Sequence, residues 1–284
     1  MDKSLLSIRL GGKLRSLEHP MVMAILNVTP DSFYASSRCQ NQDAVRSRVR
    51  QMIQDGADIL DMGACSTRPG STIITEQEEL ERLRMGLEAL RDEDASFPVS
   101  VDTFRSSAAR MAVEEYGAVM INDVSSGDMD AEMFPLVARL QVPYVIMHLV
   151  GSPFNPQMLP ESQDTTPQLV NFFFKKLSQL RELGAADVIL DPGFGFSKTL
   201  EQNYRVLAQL EDLTIFGQPI LCGLSRKSMI TRVTGTVADQ AAAETVALDM
   251  AALERGADIL RVHDVREAVS TVRLYEALLG KTKS

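Results

Sequence analysis

The chain has 284 residues, 45% of them hydrophobic and 24% charged, and a net charge of −9. That balance argues against nonspecific nucleic-acid binding, and no apolar run approaches the roughly 18 residues of a transmembrane span, so neither nucleic acid nor membrane is an expected partner. Cys39, Cys65 and Cys222 lack CxxC spacing and His19, His148 and His263 form no HExxH-like cluster, which argues against a disulfide framework or a zinc site; MDKSLLSIRLGG has no signal-peptide stretch, so the expected location is cytoplasmic.

The first predicted element is a hairpin over about 5–18, because SIRLGGKLRSL has two short alternating segments around Gly11-Gly12. It is expected beneath the N-terminal end of the body that follows. There, a phrase of glycine, alanine and aliphatic residues with a polar ending occurs four times: GADILDMG from Gly56, GAVMINDV from Gly117, GAADVILDPG from Gly184 and GADILRVHD from Gly256. Successive copies are separated by about twice a βα unit of roughly 30 residues, so each gap must hold one more strand. MVMAIL from Met21, VSVD from Val99, VPYVIMH from Val142 and PILCGL from Pro219 supply one before the first copy and one in each gap. Eight short apolar strands alternating with helical periodicity predict a parallel sheet, and eight units in about 250 residues predict an α/β fold of the (β/α)8, or TIM-barrel, type. The chain reads as a single domain over 1–284, with the barrel over about 21–280.

Among the helices, Thr75 and Glu78 form a candidate capping box before an apolar face of Leu80, Leu83, Leu87 and Leu90. The last helix is expected over about 265–279, ending at Gly280. The main irregular stretch is LVGSPFNPQMLPESQDTTP from Leu149, where Pro153, Pro156, Pro160 and Pro167 exclude a continuous helix. It follows strand five on the site face, and a substrate-facing loop and an inert insertion are both open readings.

In such a barrel the site lies at the C-terminal ends of the strands. Residues i and i+2 of a strand share a face, so Arg261 and His263 converge, as an anion site or, for the arginine, as an ion pair to a neighbouring strand. Ser225-Arg226-Lys227-Ser228 follows strand seven, where a helix start attracts anions; a solvated basic turn is the alternative. Asp102, Asn122 and Asp191 end strands and need partners in an apolar mouth. A nitrogen-rich heterocycle with ring NH and amino donors would match them, with Lys227 donating to a ring carbonyl. Asp61 and Asp123 stay unassigned, since either reads equally as an acid bonded to loop amides. Two loops complete the mouth, NVTPDSF from Asn27 and STRPGS from Ser66; both contain turn chemistry, yet Arg68 has the planar fork that suits phosphate. GFGFSKT from Gly193 fits neither nucleotide pattern, because Ser197 stands where GxxxxGK[ST] needs glycine and Lys198 where GxGxxG does.

Together, LNVTPDSF at 26–33, STRPG at 66–70, SVDTF at 100–104, IND at 121–123, LDPGFGFSKT at 190–199, SRKS at 225–228 and RVHDV at 261–265 resemble the dihydropteroate synthase family over about residues 21–280. The resemblance implies a (β/α)8 barrel that condenses (7,8-dihydropterin-6-yl)methyl diphosphate with 4-aminobenzoate, giving 7,8-dihydropteroate and diphosphate in folate biosynthesis. It implies that Asp102, Asn122, Asp191 and Lys227 hold the pterin, that Arg68, Arg261 and His263 hold the diphosphate, and that Asn27 joins an Mg2+ site. Thr67 would contribute at the substrate junction, with Phe33, Pro69, Phe194 and Ser228 near the aminobenzoate. Asp102 and Lys227 are the catalytic candidates: a buried carboxylate stabilises positive charge on the pterin methylene, while Mg2+, Arg68 and Arg261 neutralise the leaving group. The attacking aromatic amine needs no strong base, in keeping with the absence of a nucleophile paired with histidine. The family also implies small-molecule partners and a homodimer joined through exterior helices.

Two departures from the family pattern stand out. NVTPDSF is usually followed by Ser-Asp-Gly-Gly, where this chain has Tyr34-Ala35-Ser36-Ser37, and STRPG usually follows Gly-Glu, where Ala64-Cys65 stands here. Neither removes an implied pterin or phosphate ligand, so a difference is expected in loop-one closure. The altered first loop motivates one alternative, a noncatalytic pterin-binding homologue. Another is a pterin-dependent methyltransferase on a related barrel, against which the STRPG and SRKS loops argue.

Overall fold

The computed structural model describes residues 6–28, 38–65, 73–160 and 164–281. Strands β1 (Ser7–Leu10) and β2 (Lys13–Ser16) pair antiparallel around Gly11-Gly12. Both glycines have positive φ, 55° and 79°, which a two-residue hairpin turn of matching twist requires and a Cβ disfavours. The hairpin forms the floor of the barrel, where buried Ile8 and Leu17 pack with Met21, Met23, Ile59, Met120, Val145, Ile189, Leu221 and Ile259. Each large aliphatic side chain removed from water contributes roughly 1.5–3 kcal/mol, and the bonds from the Arg9 N–H to Asp187 and from Arg15 to Asp58 add polar ties to the body of the barrel.

The remaining strands, in chain order, are β3 (Met21–Asn27), β4 (Ile59–Gly63), β5 (Val99–Asp102), β6 (Met120–Asp123), β7 (Tyr144–Met147), β8 (Gly151–Ser152), β9 (Asn155–Pro156), β10 (Val188–Asp191), β11 (Leu221–Cys222) and β12 (Ile259–Val262). Strands β8 and β9 form a small antiparallel pair within the proline-rich stretch. The other eight are parallel in the order β10-β7-β6-β5-β4-β3-β12-β11, and a bridge between Leu190 and Ile220 joins the two ends. The expected (β/α)8 barrel with its N-terminal hairpin is therefore observed.

Strand alternation sorts the interior into layers. Ile59, Met120, Ile189 and Ile259 belong to the apolar floor, and two residues further along the same strands come Asp61, Asn122, Asp191 and Arg261. One layer seals the barrel and the next is polar.

Outside lie α1 (Arg38–Gln54), α2 (Glu76–Asp94), α3 (Ser106–Tyr116), α4 (Met133–Leu140), α5 (Thr165–Glu182), α6 (Leu200–Ala208), α7 (Ser228–Thr234), α8 (Ala242–Glu254) and α9 (Val265–Leu278). Thr75 caps α2 by accepting from the Glu78 N–H at 3.2 Å. The Glu78 carboxylate turns to Arg82 in place of the reciprocal bond a capping box needs, whereas Thr199 and Gln202 make a complete box at α6. Leu83, Leu87 and Leu90 are buried and Leu80 partly so, as the apolar face of α2 demands. Pro167 lies in the first turn of α5, where a missing N–H breaks no helical bond. Among the described residues no helix is long and apolar enough to cross a membrane.

Candidate active site

Arg261 is the hub of the polar layer. Its Nε donates to Asp61 Oδ2 at 2.6 Å and an Nη donates to Asp102 Oδ2 at 2.7 Å. Asp61, fully buried, also accepts from Asn122 Nδ2 at 2.9 Å. Strand register explains the meeting: Asp61 lies opposite Ser100 across β4 and β5, while Asp102 lies opposite Asn122 across β5 and β6. The stagger of the barrel thus brings side chains from four strands to one level. Arg261 is ion-paired, but not to an adjacent strand as one reading anticipated: β12 borders β3 and β11, whereas Asp61 and Asp102 reach it across the barrel interior from β4 and β5. Two of its five N–H donors are so used, which leaves the fork capacity for an anion. Burial pushes the Asp102 carboxyl up to about 7, with Arg261 opposing and Asp61 reinforcing the shift. Burial works to lower the Arg261 value, but the Asp61 and Asp102 carboxylates outweigh it and hold the guanidinium above its ordinary range.

Across the mouth, Asp191 ends β10 and accepts from the Gly193 N–H at 2.7 Å. Burial raises its pKa, and the Lys227 ammonium works against that rise. Lys227 donates to the Phe194 carbonyl, and its ammonium lies 4.7 Å from the centre of the Phe196 ring. Burial brings the Lys227 pKa down to about 8 in spite of Asp191. The two acids left unassigned by sequence now separate. Asp61 belongs to the polar hub, whereas Asp123 accepts from Ser125 N–H and hydroxyl at 2.7 Å each, from Gly127 N–H at 2.8 Å and from the Tyr144 hydroxyl at 2.6 Å, and is structural.

The GFGFSKT segment wraps a cation. The Lys198 ammonium donates to the carbonyls of Gly193 at 3.0 Å, Phe196 at 3.3 Å and His148 at 3.4 Å, so the loop presents oxygens inward where a phosphate cradle would present amides. Burial lowers the Lys198 pKa to about 7. Gly193 has φ 71°, and a Cβ there would stand 2.2 Å from the His148 carbonyl oxygen, which is why only glycine fits. The expectation for Phe194 needs correction: its ring is fully buried in the core between sheet and helices, and only its carbonyl faces Lys227. Phe196, partly exposed, is the ring at the mouth.

His263 follows β12, its Nδ1 3.0 Å from Ser225 Oγ and its backbone N–H donating to the same oxygen at 3.2 Å. Ser228 is exposed at the start of α7. Asn27 ends β3 opposite Gly63, and a Cβ on Gly63 would lie 3.4 Å from Asp102 Cβ and 3.6 Å from Asn27 Oδ1. Glycine there lets the amide and the carboxylate approach one another. Phe33, Thr67, Arg68 and Pro69, and the Tyr34-Ala35-Ser36-Ser37 departure, lie outside the described residues. The described flanks of loop two are tied down: Arg82 donates to the Ala64 carbonyl at 3.1 Å, and Arg105, paired with buried Glu79, donates to the Ile74 carbonyl at 2.7 Å. Leu149 and Phe154 of the proline-rich stretch join Phe104, Val124, Met147, Cys65 and Phe196 in an apolar cluster beside the mouth, and Ser197 bonds to both N–H and carbonyl of Val150 at 3.1 and 3.0 Å.

Asn27 offers a single neutral oxygen, and among the described residues no group of three His, Cys, Asp or Glu comes together to hold a metal ion. Mg2+ commonly keeps several waters and fills its other positions with a few protein oxygens and substrate phosphates, a pattern that the Asn27 oxygen fits.

Residues 23–263 match the protein family described as pterin binding enzyme, and a pterin-binding barrel is the class that this fold and mouth define. The chain is 38% identical over 264 residues to the dihydropteroate synthase of Synechocystis sp., covering 90% of this chain and 89% of that relative. The dihydropteroate synthase of Yersinia pestis in a sulfonamide drug complex superposes with a TM-score of 0.89 at 36% identity, over 97% of this chain and 100% of that one. The Xanthomonas albilineans dihydropteroate synthase with 4-aminobenzoic acid gives 0.88 at 36% identity, over 96% and 98%. The chain belongs to the dihydropteroate synthase family.

Proposed function

We infer that the chain is a transferase of folate biosynthesis that joins (7,8-dihydropterin-6-yl)methyl diphosphate to 4-aminobenzoate, forming 7,8-dihydropteroate and diphosphate. The observation that carries the reading is the Arg261 hub, which gathers Asp61, Asp102 and Asn122 facing Asp191 and Lys227. Asp102 and Asp191 accept from the ring NH and amino groups of the pterin. Asn122 donates one amide hydrogen to Asp61, which fixes the amide so that its carbonyl oxygen can accept from the ligand. Lys227 donates to the ring carbonyl. As the methylene C–O bond breaks, its electron pair leaves with the diphosphate, and the ionised Asp102 carboxylate stabilises the positive charge on the pterin methylene. The amine of 4-aminobenzoate then forms the C–N bond and gives up a proton.

Arg261, His263 and Arg68 receive the diphosphate, Arg261 sharing its fork between the carboxylates and the phosphate oxygens. Mg2+, held by Asn27 and the diphosphate, would offset the negative charge of the leaving group. In this reading Thr67 would act at the substrate junction, and Phe33, Pro69, Ser228 and Phe196 would contact the aminobenzoate. The proposed assembly is a homodimer formed through exterior helices, in the cytoplasm, where thiols without disulfide spacing stay reduced.

The test is diphosphate release by purified protein with each component omitted in turn. Release should require the pterin diphosphate, 4-aminobenzoate and Mg2+ together. Protein that binds the pterin yet releases nothing in the complete mixture would overturn the reading in favour of a noncatalytic homologue.

A further inference from the structure

We propose that Arg226 and Asp264 are positioning residues, a clamp that locks the loop after β11 to the loop after β12 and so holds Lys227 and His263 in one frame. The proposal rests on the reading of the mouth given above.

Arg226 and Lys227 are adjacent, yet they serve opposite sides of the turn. The turn closes with the Lys227 N–H donating to the Leu224 carbonyl at 3.2 Å, and Arg226 adopts φ 58°, a left-handed conformation that a residue with a long side chain avoids unless its surroundings impose it. That conformation sends the two basic side chains apart. Lys227 enters the mouth, over Phe196. Arg226 turns away and makes a two-pronged bond to Asp264, Nε to Oδ2 at 3.0 Å and Nη to Oδ1 at 2.6 Å, the geometry in which arginine is most directional. Asp264 follows His263 directly and begins α9.

Further contacts fix the same unit. The Arg226 N–H donates to Thr245 Oγ1 of α8 at 3.2 Å, and Ser225 Oγ receives the His263 N–H at 3.2 Å while lying 3.0 Å from its Nδ1. The contact of Arg226 with Asp239, at 3.5 Å to a carboxylate that is 95% exposed, adds little. An inner tie, Ser225 to His263, and an outer one, Arg226 to Asp264, therefore join the two loops on either side of the chain path. A rigid fold alone does not require a left-handed arginine at this point; sending Lys227 inward over Phe196 while Arg226 reaches Asp264 does.

The experiment compares wild type with Arg226→Gln, Asp264→Asn and the double variant, each checked for folding by its thermal transition. The first readout is the pH dependence of Lys227 acetylation, followed by mass spectrometry, which needs no turnover. The groups facing Lys227 are Asp191, Arg261, Cys222 and, from the loop after β10, Lys198. Wild type should show a midpoint near 8. In each single variant the turn relaxes, the ammonium regains water, and the midpoint should rise by about one unit or more toward the ordinary lysine value. The second readout is diphosphate release: each single variant should lose about tenfold in kcat, with the double variant no worse than the poorer single, since both substitutions break one clamp. An unchanged Lys227 midpoint, or losses that multiply in the double variant, would overturn the proposal. Arg226→Lys keeps the charge without the fork, should fall between wild type and Arg226→Gln, and serves if the latter does not fold. Wild type that releases no diphosphate would overturn the transferase reading, while the acetylation midpoints would still decide the clamp.

Discussion

Asp61→Ala probes the hub most sharply. One oxygen of Asp61 accepts from both Arg261, at 2.6 Å, and Asn122, at 2.9 Å, in a fully buried position. Removing it leaves the guanidinium with Asp102 as its remaining carboxylate partner and leaves the Asn122 amide unsatisfied. Breaking a buried ion pair from one side costs about 3–5 kcal/mol. An orphaned amide alone costs about 1–3 kcal/mol, but this overlaps the first figure because both bonds end on the same oxygen. The total is therefore about 3–5 kcal/mol. With about 2–4 °C in Tm per kcal/mol for large domains, calorimetry should show Tm falling by roughly 6–20 °C. Asp61→Asn keeps the shape and one acceptor and should lose roughly half as much. Diphosphate release, measured well below the transition, should drop about tenfold or more in Asp61→Ala, because Arg261 then draws Asp102 away from the substrate. A Tm within about 2 °C of wild type and unchanged turnover would refute the hub as the organising feature of the mouth.

Gly86→Ala should destabilise although alanine is the better helix former by about 1 kcal/mol, because its Cβ would stand 2.6 Å from Met62 Sδ and 2.9 Å from Val28 Cγ1; a net loss of about 1–2 kcal/mol in urea unfolding is expected, and a gain would show that α2 does not press on β4. The pH profile of kcat/KM should be a narrow bell, rising as Asp102 ionises near 7 and falling as Lys227 loses its proton near 8; a flat profile across this range would contradict both assignments. Asp249, buried in α8, has its pKa pushed by burial to about 8. The folded state then keeps a proton that the unfolded chain loses near its ordinary value of about 3.9, so this group makes stability fall as pH rises between the two values. Asp249→Asn removes that dependence: its Tm should match wild type near the acid end of the window and exceed it increasingly toward pH 8, and parallel curves would refute the assignment.

The barrel is legible in sequence because each strand is a short apolar run set between helical periods, and the hairpin because Gly11-Gly12 separates two alternating segments. Parity carries much of the site as well. The rule that pairs Arg261 with His263 also sets Asp61 two residues beyond floor residue Ile59, which would have assigned it; what hides its role is that an acid bonded to loop amides, as Asp123 is, reads the same. Within GFGF, parity has no strand to follow. The choice of Phe196 over Phe194 for the mouth depends on how the loop coils around the Lys198 ammonium, with Ser197 at φ 53°. Likewise Arg226 and Lys227 are two neighbouring cations in sequence, and only the left-handed turn at Arg226 sends one outward and the other in. The Glu78 carboxylate has two partners within reach, the helix start and Arg82, and composition does not rank them.

Joining of a pterin methylene to an aromatic amine at these strand ends is followed most directly by turnover with 4-aminobenzoate carrying 15N at the amine, with product and diphosphate quantified together by mass spectrometry and a phosphate assay. One equivalent of 15N-labelled 7,8-dihydropteroate per diphosphate is predicted, abolished in Lys227→Ala and Asp102→Ala protein that remains folded. Diphosphate released without labelled product, or labelled product formed at the wild-type rate by either variant, would contradict it.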